Sequence, residues 1–277
     1  MDISVLIGIA LGISLMTQAI GIESILNLFY HPASLLIVLG GTVGATLVHF
    51  PFTQVIKFGG RLMVIFSMKK HDFQKDIDSL VGLAQKVEQE GKSAILPDIE
   101  SNKDHFIKTS LQLFVDNVST DELEQVLNEN VAYIMKRHSQ GYLFFEQLGK
   151  YAPAFGLLGT VIGLIKLLSE LENPEAVGPG MSLALVTTFY GILLSNLLFL
   201  PLSGRLKTYS FEESLQKEML VVGIMSLAKG EPSYIIREKM MLFLTHRERE
   251  KKKGKEKSEK NMSNDTNAAA QNLSSKN

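Results

Sequence analysis

The 277-residue chain contains no cysteine. That absence removes disulfides, thiolate metal sites and thiol nucleophiles from consideration, and it leaves the redox compartment open. Carboxylates are missing more selectively. Four long, nearly charge-free runs hold no aspartate or glutamate between them: Ile3 to Ile20, Ala33 to Phe52, Tyr151 to Leu168 and Met181 to Ser203. Paired carboxylates, a phosphate-cradling glycine loop and a histidine cluster of metal spacing are absent as well, so nothing points to an enzyme. His31, His49, His71, His105, His138 and His246 are scattered. The net charge of -1 comes without a basic patch interleaved with aromatics, which speaks against a nucleic-acid partner.

What the chain does have is strong segregation of its apolar residues, which make up 45% of the total. Each charge-free run is about 18 to 23 residues, enough to cross a hydrocarbon core of roughly 30 Å as a helix. The first run lacks a basic flank and a small-residue cleavage site, and reads as a retained span. Of 28 Lys and Arg, 11 lie between Thr53 and Gln147 and 15 follow Ser203, while the connections Gly21 to Pro32 and Ser169 to Gly180 hold none. The excess of basic residues puts both long polar segments, and both termini, in the cytoplasm. The short connections, with Glu23, Glu170, Glu172 and Glu175, face outward.

The expected fold is therefore an all-α polytopic membrane protein with four transmembrane helices and a helical cytoplasmic domain. Residues 1–52 hold the first two spans, 53–147 a cytoplasmic helical loop domain, and 148–203 the last two spans. Residues 204–246 form cytoplasmic C-terminal helices, and 247–277 a polar tail.

Within the loop domain, Phe73, Ile77, Leu80, Ala84 and Val87 step by 4, 3, 4 and 3, the spacing of an amphipathic helix. Ser119 and Glu122 have capping-box spacing and open a second helix, with Leu123, Val126, Leu127, Tyr133 and Ile134 at core intervals. No strong breaker except Gly141 and Gly149 precedes Pro153, so this helix is free to run into the third span. Leu215, Leu220, Val221, Ile224 and Leu227 mark another helix, ended by Gly230 and Pro232, and Ile235 to Leu244 a short final one. The tail from Arg247, REREKKKGKEKSEK, cannot bury enough apolar surface to fold and reads as solvated, with some attraction to anionic lipid headgroups.

The spans carry small residues at close-packing intervals: Gly8 and Gly12, Gly40 and Gly44, Gly159 and Gly163. In the fourth span Ala184, Thr187, Thr188, Gly191 and Ser195 recur every three or four positions, and so share one helix face. Thr160 adds a hydroxyl in the third. A lone span threonine ordinarily bonds back to the carbonyl four residues earlier. Pro153 cannot donate to the carbonyl of Gly149, nor Pro201 to that of Leu197, so each frees a backbone oxygen that can ligate a cation or let the helix bend. Lys166 reads as snorkelling outward. A dry ion path normally uses a carboxylate, because that group both neutralises a cation and titrates. If these spans line such a path, the acid comes from another chain.

These residues resemble the MotA/PomA family of flagellar motor stator subunits, most closely its sodium-type PomA branch. The resemblance rests on PAFGLLGTVIG at Pro153 to Gly163, NPEAVGPGMSLALVTTFYGILLSN, Pro201, ASLLIVLGG in the second span and RHSQG at Arg137 to Gly141. It implies a homopentamer around two copies of a MotB/PomB-like single-span partner, which carries the ion-binding aspartate and a peptidoglycan-binding domain. It also implies a rotor partner in the flagellar switch complex and a place in the cytoplasmic membrane among its lipids. Na⁺, or H⁺, is the transported ion, and no cofactor is permanently bound.

By the same resemblance, Thr160, Thr187 and Thr188 match hydroxyls that strip and ligate sodium, and Pro153 and Pro201 match prolines tied to torque-linked conformational change. A bare sodium ion needs oxygens to replace its hydration water, whereas a proton needs only the carboxylate. One stretch departs from the family. Where relatives place basic residues before the loop-helix glycine and a glutamate after it, AQKVEQEGKSAILPDIE has Glu88, Gln89 and Leu96. Lys86, Glu88, Lys92 and Asp98, with Glu100, are the candidates for a rewired rotor contact. The altered charges keep open an ExbB/TolQ-like or other stator-like engine coupled to a different load. A non-conducting membrane scaffold is the reading from a different class.

Overall fold

A computed structural model describes residues 4–24, 30–60, 71–170, 172, 174–246 and 249–250. Ile3, the first residue of the expected first span, lies outside these residues. So does the expected solvated tail, apart from Arg249 and Glu250. Every regular element among the described residues is a helix, and none is a strand.

Local sequence explains where each helix starts and stops. Helix α1, Ser4–Ile20, ends at Gly21, whose φ of 88° is accessible without a Cβ penalty. Helix α2, Pro32–His49, opens with a proline in its first turn, where no backbone donor is needed, and His31 Nδ1 accepts from the Ser34 amide at 3.2 Å. It holds a π-helical turn, Leu36–Gly40, and ends at extended Phe50, as expected before Pro51. Helix α3 spans Phe52–Gly60. Asp72 caps α4, Phe73–Glu90, which stops at Gly91 with φ 86°. A 3₁₀ turn, Lys92–Ile95, leads into α5, Leu96–Ser101, and Asp104 caps α6, His105–Val115, by accepting from the Phe106 amide at 2.9 Å.

Ser119 Oγ accepts from the Glu122 amide at 3.3 Å and starts α7, Thr120–Ser169, a 50-residue helix that passes through Pro153. Helix α8, Pro174–Leu193, continues through a π-helical turn, Leu194–Phe199, into α9, Leu200–Ala228. Gly230, with φ 71°, closes α9: its own amide donates to Leu227 O and the next amide donates to Ser226 O. Helix α10, Ser233–Met241, follows Pro232. Pro32–His49, Thr120–Ser169 and Val177–Ala228 are long and apolar enough to cross a membrane, and Ser4–Ile20 is an apolar helix of 17 residues.

The chain divides into two compact units. The first, Met1–Lys70 with Tyr133–Glu212, carries the apolar spans. One buried cluster within it joins Phe58, Phe144, Phe145, Leu148 and Leu202. The Phe144 ring lies 5.3 Å from Phe58 and Phe145 and 5.5 Å from Phe50, tilted or edge-on as aromatic quadrupoles prefer.

The second unit, His71–Ala132 with Glu213–Asn277, packs α4, α5, α6, the start of α7, the end of α9 and α10 around its own core. Ile77, Leu80, Ala84, Leu123, Leu127, Met219, Leu220, Ile224, Ile236 and Met240 are buried there. Of the residues expected on the α7 core stripe, Val126 and Tyr133 are instead 39% and 67% exposed. At 100° per residue, Leu123, Leu127 and Val131 share one stripe, while Val126 and Tyr133, seven apart, share another. Gly223 lets α9 come close to its neighbours, because a Cβ there would sit 2.4 Å from Leu80 and 2.6 Å from Met240.

A polar cluster crosses this second core. Lys217 donates to Asp104 at 2.6 Å and lies 5.1 Å from the Phe106 ring centre, and Gln216 donates to Asp76. Burial pushes the Asp76 carboxyl above its ordinary value, against the lowering effect of Gln216 and Lys217. The folded chain therefore holds this proton more readily than the unfolded chain. The stabilisation is complete below the ordinary carboxylate value of 3.8 and is lost as pH rises through the raised one. Asp76→Asn keeps an acceptor for Gln216 without the charge. It is expected to leave stability at neutral pH equal or higher and to flatten the fall that starts above the ordinary value. Thermal unfolding from roughly pH 4 to 7 reads this.

Candidate functional site

The third and fourth spans, the later part of α7 and all of α8, meet along a seam of small residues. A Cβ on Gly156 would stand 3.0 Å from Thr187 O and 3.2 Å from Gly191 Cα. One on Gly159 would be 2.5 Å from Thr187 Cβ, and one on Gly163 2.6 Å from Ala184 N and 2.7 Å from Gly180 O. Backbone therefore touches backbone, which is what small residues every three or four positions allow. The fourth-span stripe expected on one face is the face in this seam: Ala184, Thr187, Gly191 and Ser195 are buried and Thr188 is half-buried.

Of the other spaced glycines, Gly12 sits under Leu197, while Gly8, Gly40 and Gly44 face open space in the single chain. The close approach in the second span belongs to Gly41, where a Cβ would fall 2.1 Å from the Phe155 ring.

The seam brings all three candidate threonines together. Thr160 Oγ1 donates back to Gly156 O at 3.2 Å and across to Ala184 O at 3.1 Å, and it also contacts Thr188 Oγ1. Thr188 Oγ1 donates to Ala184 O at 3.3 Å, and Thr187 Oγ1 to Leu183 O at 2.8 Å and Ala184 O at 3.0 Å. Three hydroxyls thus converge on one carbonyl oxygen. Each lies within reach of a carbonyl of its own helix, and Thr160 and Thr188 also meet across the seam. Thr187 is fully buried against Gly159, whereas Thr160 and Thr188 keep partial exposure. The set is neutral and rich in oxygen: it can replace part of a cation's hydration shell but has nothing to balance its charge.

The prolines lie at the other end of the same seam. The Gly149 carbonyl that Pro153 leaves without a helical donor accepts from Ser195 Oγ at 2.7 Å, and Ser195 is 2% exposed. Pro201 follows the π-helical turn Leu194–Phe199. Two polar links near this end carry no sequence signal. His49 Nδ1 and Tyr151 OH are 2.7 Å apart, and Ser203 Oγ donates to Tyr142 O at 2.8 Å. Partners 102 and 61 positions apart have no local pattern to connect them.

In the second unit, four of the candidate rotor-contact charges, Lys86, Glu88, Lys92 and Asp98, already have a partner. Lys86 donates to Asp98 at 2.8 Å, both groups well exposed, and that hydrogen bond holds the Lys86 ammonium above its ordinary pKa. Glu88 accepts from the Ser233 amide and, at 3.3 Å, from its hydroxyl, so it caps α10. Lys92 donates to Asn117 at 2.8 Å and lies 4.7 Å from the Phe114 ring centre.

Residues 98–219 match the model of the MotA/TolQ/ExbB proton channel family. Motility protein A of Bacillus subtilis is 32% identical over 258 residues, covering 90% of this chain and 93% of that protein. The chemotaxis protein PomA of Vibrio alginolyticus is 29% identical over 252 residues, covering 90% and 98%. The structure of the flagellar MotAB stator complex from Bacillus subtilis superposes with a TM-score of 0.82 at 31% identity, covering 89% of this chain and 97% of that one. The hydroxyl-lined seam, with both prolines at one end, therefore sits in a membrane protein whose relatives match it nearly end to end, and the chain belongs to the MotA/TolQ/ExbB proton channel family, on its motility protein A branch.

Proposed function

We propose that this chain is the ring subunit of a flagellar stator that conducts Na⁺ in preference to H⁺ and turns the flow into torque. Five copies surround two copies of a MotB/PomB-like single-span, peptidoglycan-binding partner in the cytoplasmic (inner) membrane, with both termini in the cytoplasm. The observation that carries this reading is a cluster of neutral oxygens, Thr160, Thr187, Thr188 and the Ala184 carbonyl, in a chain whose spans lack any carboxylate. Such a cluster can hold a partly dehydrated cation only beside an acid from another polypeptide. The names of the relatives supply the context, since one matched structure is a flagellar MotAB stator complex.

In this reading Thr160 and Thr188 face the ion, and Thr187 shapes the seam behind them. Pro153 and Pro201 let the spans change conformation as the ion passes. The end of the second unit that bears Lys86, Glu88, Lys92 and Asp98 meets the rotor.

The family description names protons, and a proton-driven stator is the second reading. Swimming speed against external Na⁺ at fixed pH separates the two, in a host that depends on this chain. Speed is expected to rise with sodium, and Thr160→Ala to shift the half-maximal concentration upward by about tenfold, the loss of roughly one cation ligand. Speed independent of sodium rejects the sodium reading and leaves the proton one.

A further inference from the structure

The contact between Ser195 and Gly149 does more than fill a polar gap. Pro153 has no N–H, so α7 loses the bond that would hold the Gly149 carbonyl, and in an apolar surrounding an unpaired carbonyl is strongly unfavourable. The replacement donor comes from the next helix: Ser195 Oγ, 46 positions on, donates to that oxygen at 2.7 Å while 2% exposed. Ser195 lies in the π-helical turn Leu194–Phe199, six residues before Pro201, and Ser195 O itself accepts from the Leu200 amide. Gly149 also fits closely there, because a Cβ on it would stand 2.6 Å from the Leu200 side chain. One hydroxyl thus connects the broken turn above Pro153 to the widened turn before Pro201.

We propose that Ser195 is a positioning residue that stands in for the amide missing at Pro153, locking the two proline-broken segments together so that they move as one body. This rests on the stator reading for its consequence, the transmission of torque, but the lock itself is a statement about one hydrogen bond.

The two parts are tested separately. Thermal unfolding of the purified, detergent-solubilised full-length assembly is measured for wild type, Ser195→Ala, Pro153→Ala and the double variant, a cycle that isolates their coupling. Ser195→Ala is expected to lower the midpoint by about 2 to 8 °C in the Pro153 background. In the Pro153→Ala background it should have no further effect, because residue 153 then offers its own N–H to Gly149. Equal losses in both backgrounds would overturn the lock, since Ser195 would then be acting through something other than that carbonyl.

The second arm reads torque per stator unit on a bead-loaded motor, at matched membrane abundance. Ser195→Ala should lose torque by at least about twofold, and Ser195→Thr, which keeps the donor, should restore it. Unchanged torque in Ser195→Ala would overturn the positioning role. If the wild-type chain turns no rotor, the stator reading fails, and the thermal cycle still decides the lock.

Discussion

Replacing Gly163 with alanine is expected to prise apart the third and fourth spans. The added methyl would meet Ala184 N at 2.6 Å and Gly180 O at 2.7 Å, both backbone atoms that no side-chain rotation can move. Overpacking of this kind typically costs about 1 to 3 kcal/mol, and the upper end applies because the obstacle is a whole helix. The displacement also separates Thr160 from the Ala184 carbonyl 3.1 Å away and breaks up the hydroxyl cluster. The melting midpoint of the solubilised protein should fall by about 6 to 10 °C, and motility in a dependent host should be lost.

Gly8, Gly40 and Gly44 provide the contrast, since a Cβ on any of them meets nothing within 4 Å in the single chain. Alanine at these positions should leave the fold of one chain intact. A loss of higher assembly with an intact fold would mark those faces as contacts between copies. If Gly163→Ala melts and swims like wild type, the seam does not set the helix spacing.

The second large effect lies in the other unit. Asp104→Ala leaves the Lys217 ammonium, whose side chain is 8% exposed, without its carboxylate, and it also removes the cap that accepts from the Phe106 amide. Breaking a fully buried pair costs about 3 to 5 kcal/mol, and because Asp104 is 36% exposed, about 2 to 4 kcal/mol is expected here. The midpoint should drop by about 5 to 10 °C. Lys217→Met keeps the volume and the packing on Phe106 while removing the stranded charge, so the double variant should recover part of the loss. If the double variant is no more stable than Asp104→Ala alone, the desolvated ammonium is not the cause.

Much of this molecule was legible along the chain because its signals are local. Ser119 caps the helix that follows it and Gly230 ends its own with a positive φ, as local chemistry dictates, while the caps at Asp72 and Asp104 and the stop at Gly91 emerge only in the structure. The small-residue stripe from Ala184 to Ser195 also follows from periodicity alone, since the helix repeat puts those positions on one face.

Periodicity was less decisive where two stripes competed. Val126 and Tyr133 have core-like spacing, yet they face out, because only packing against other elements chooses which stripe is inside. Among the glycines, spacing singled out Gly40 and Gly44, but the close contact fell on Gly41, where Phe155 packs.

By itself, then, the order of residues determined that the spans are helices, that they offer hydroxyls without carboxylates, and that two prolines each release a carbonyl, because these properties belong to single residues and their near neighbours. Tertiary structure decided which groups meet: three threonines on the Ala184 oxygen, Ser195 on the oxygen freed by Pro153, and Glu88 at the start of α10. Those pairings depend on distances between helices that are far apart along the chain, and such distances are set by how closely glycine lets two backbones approach.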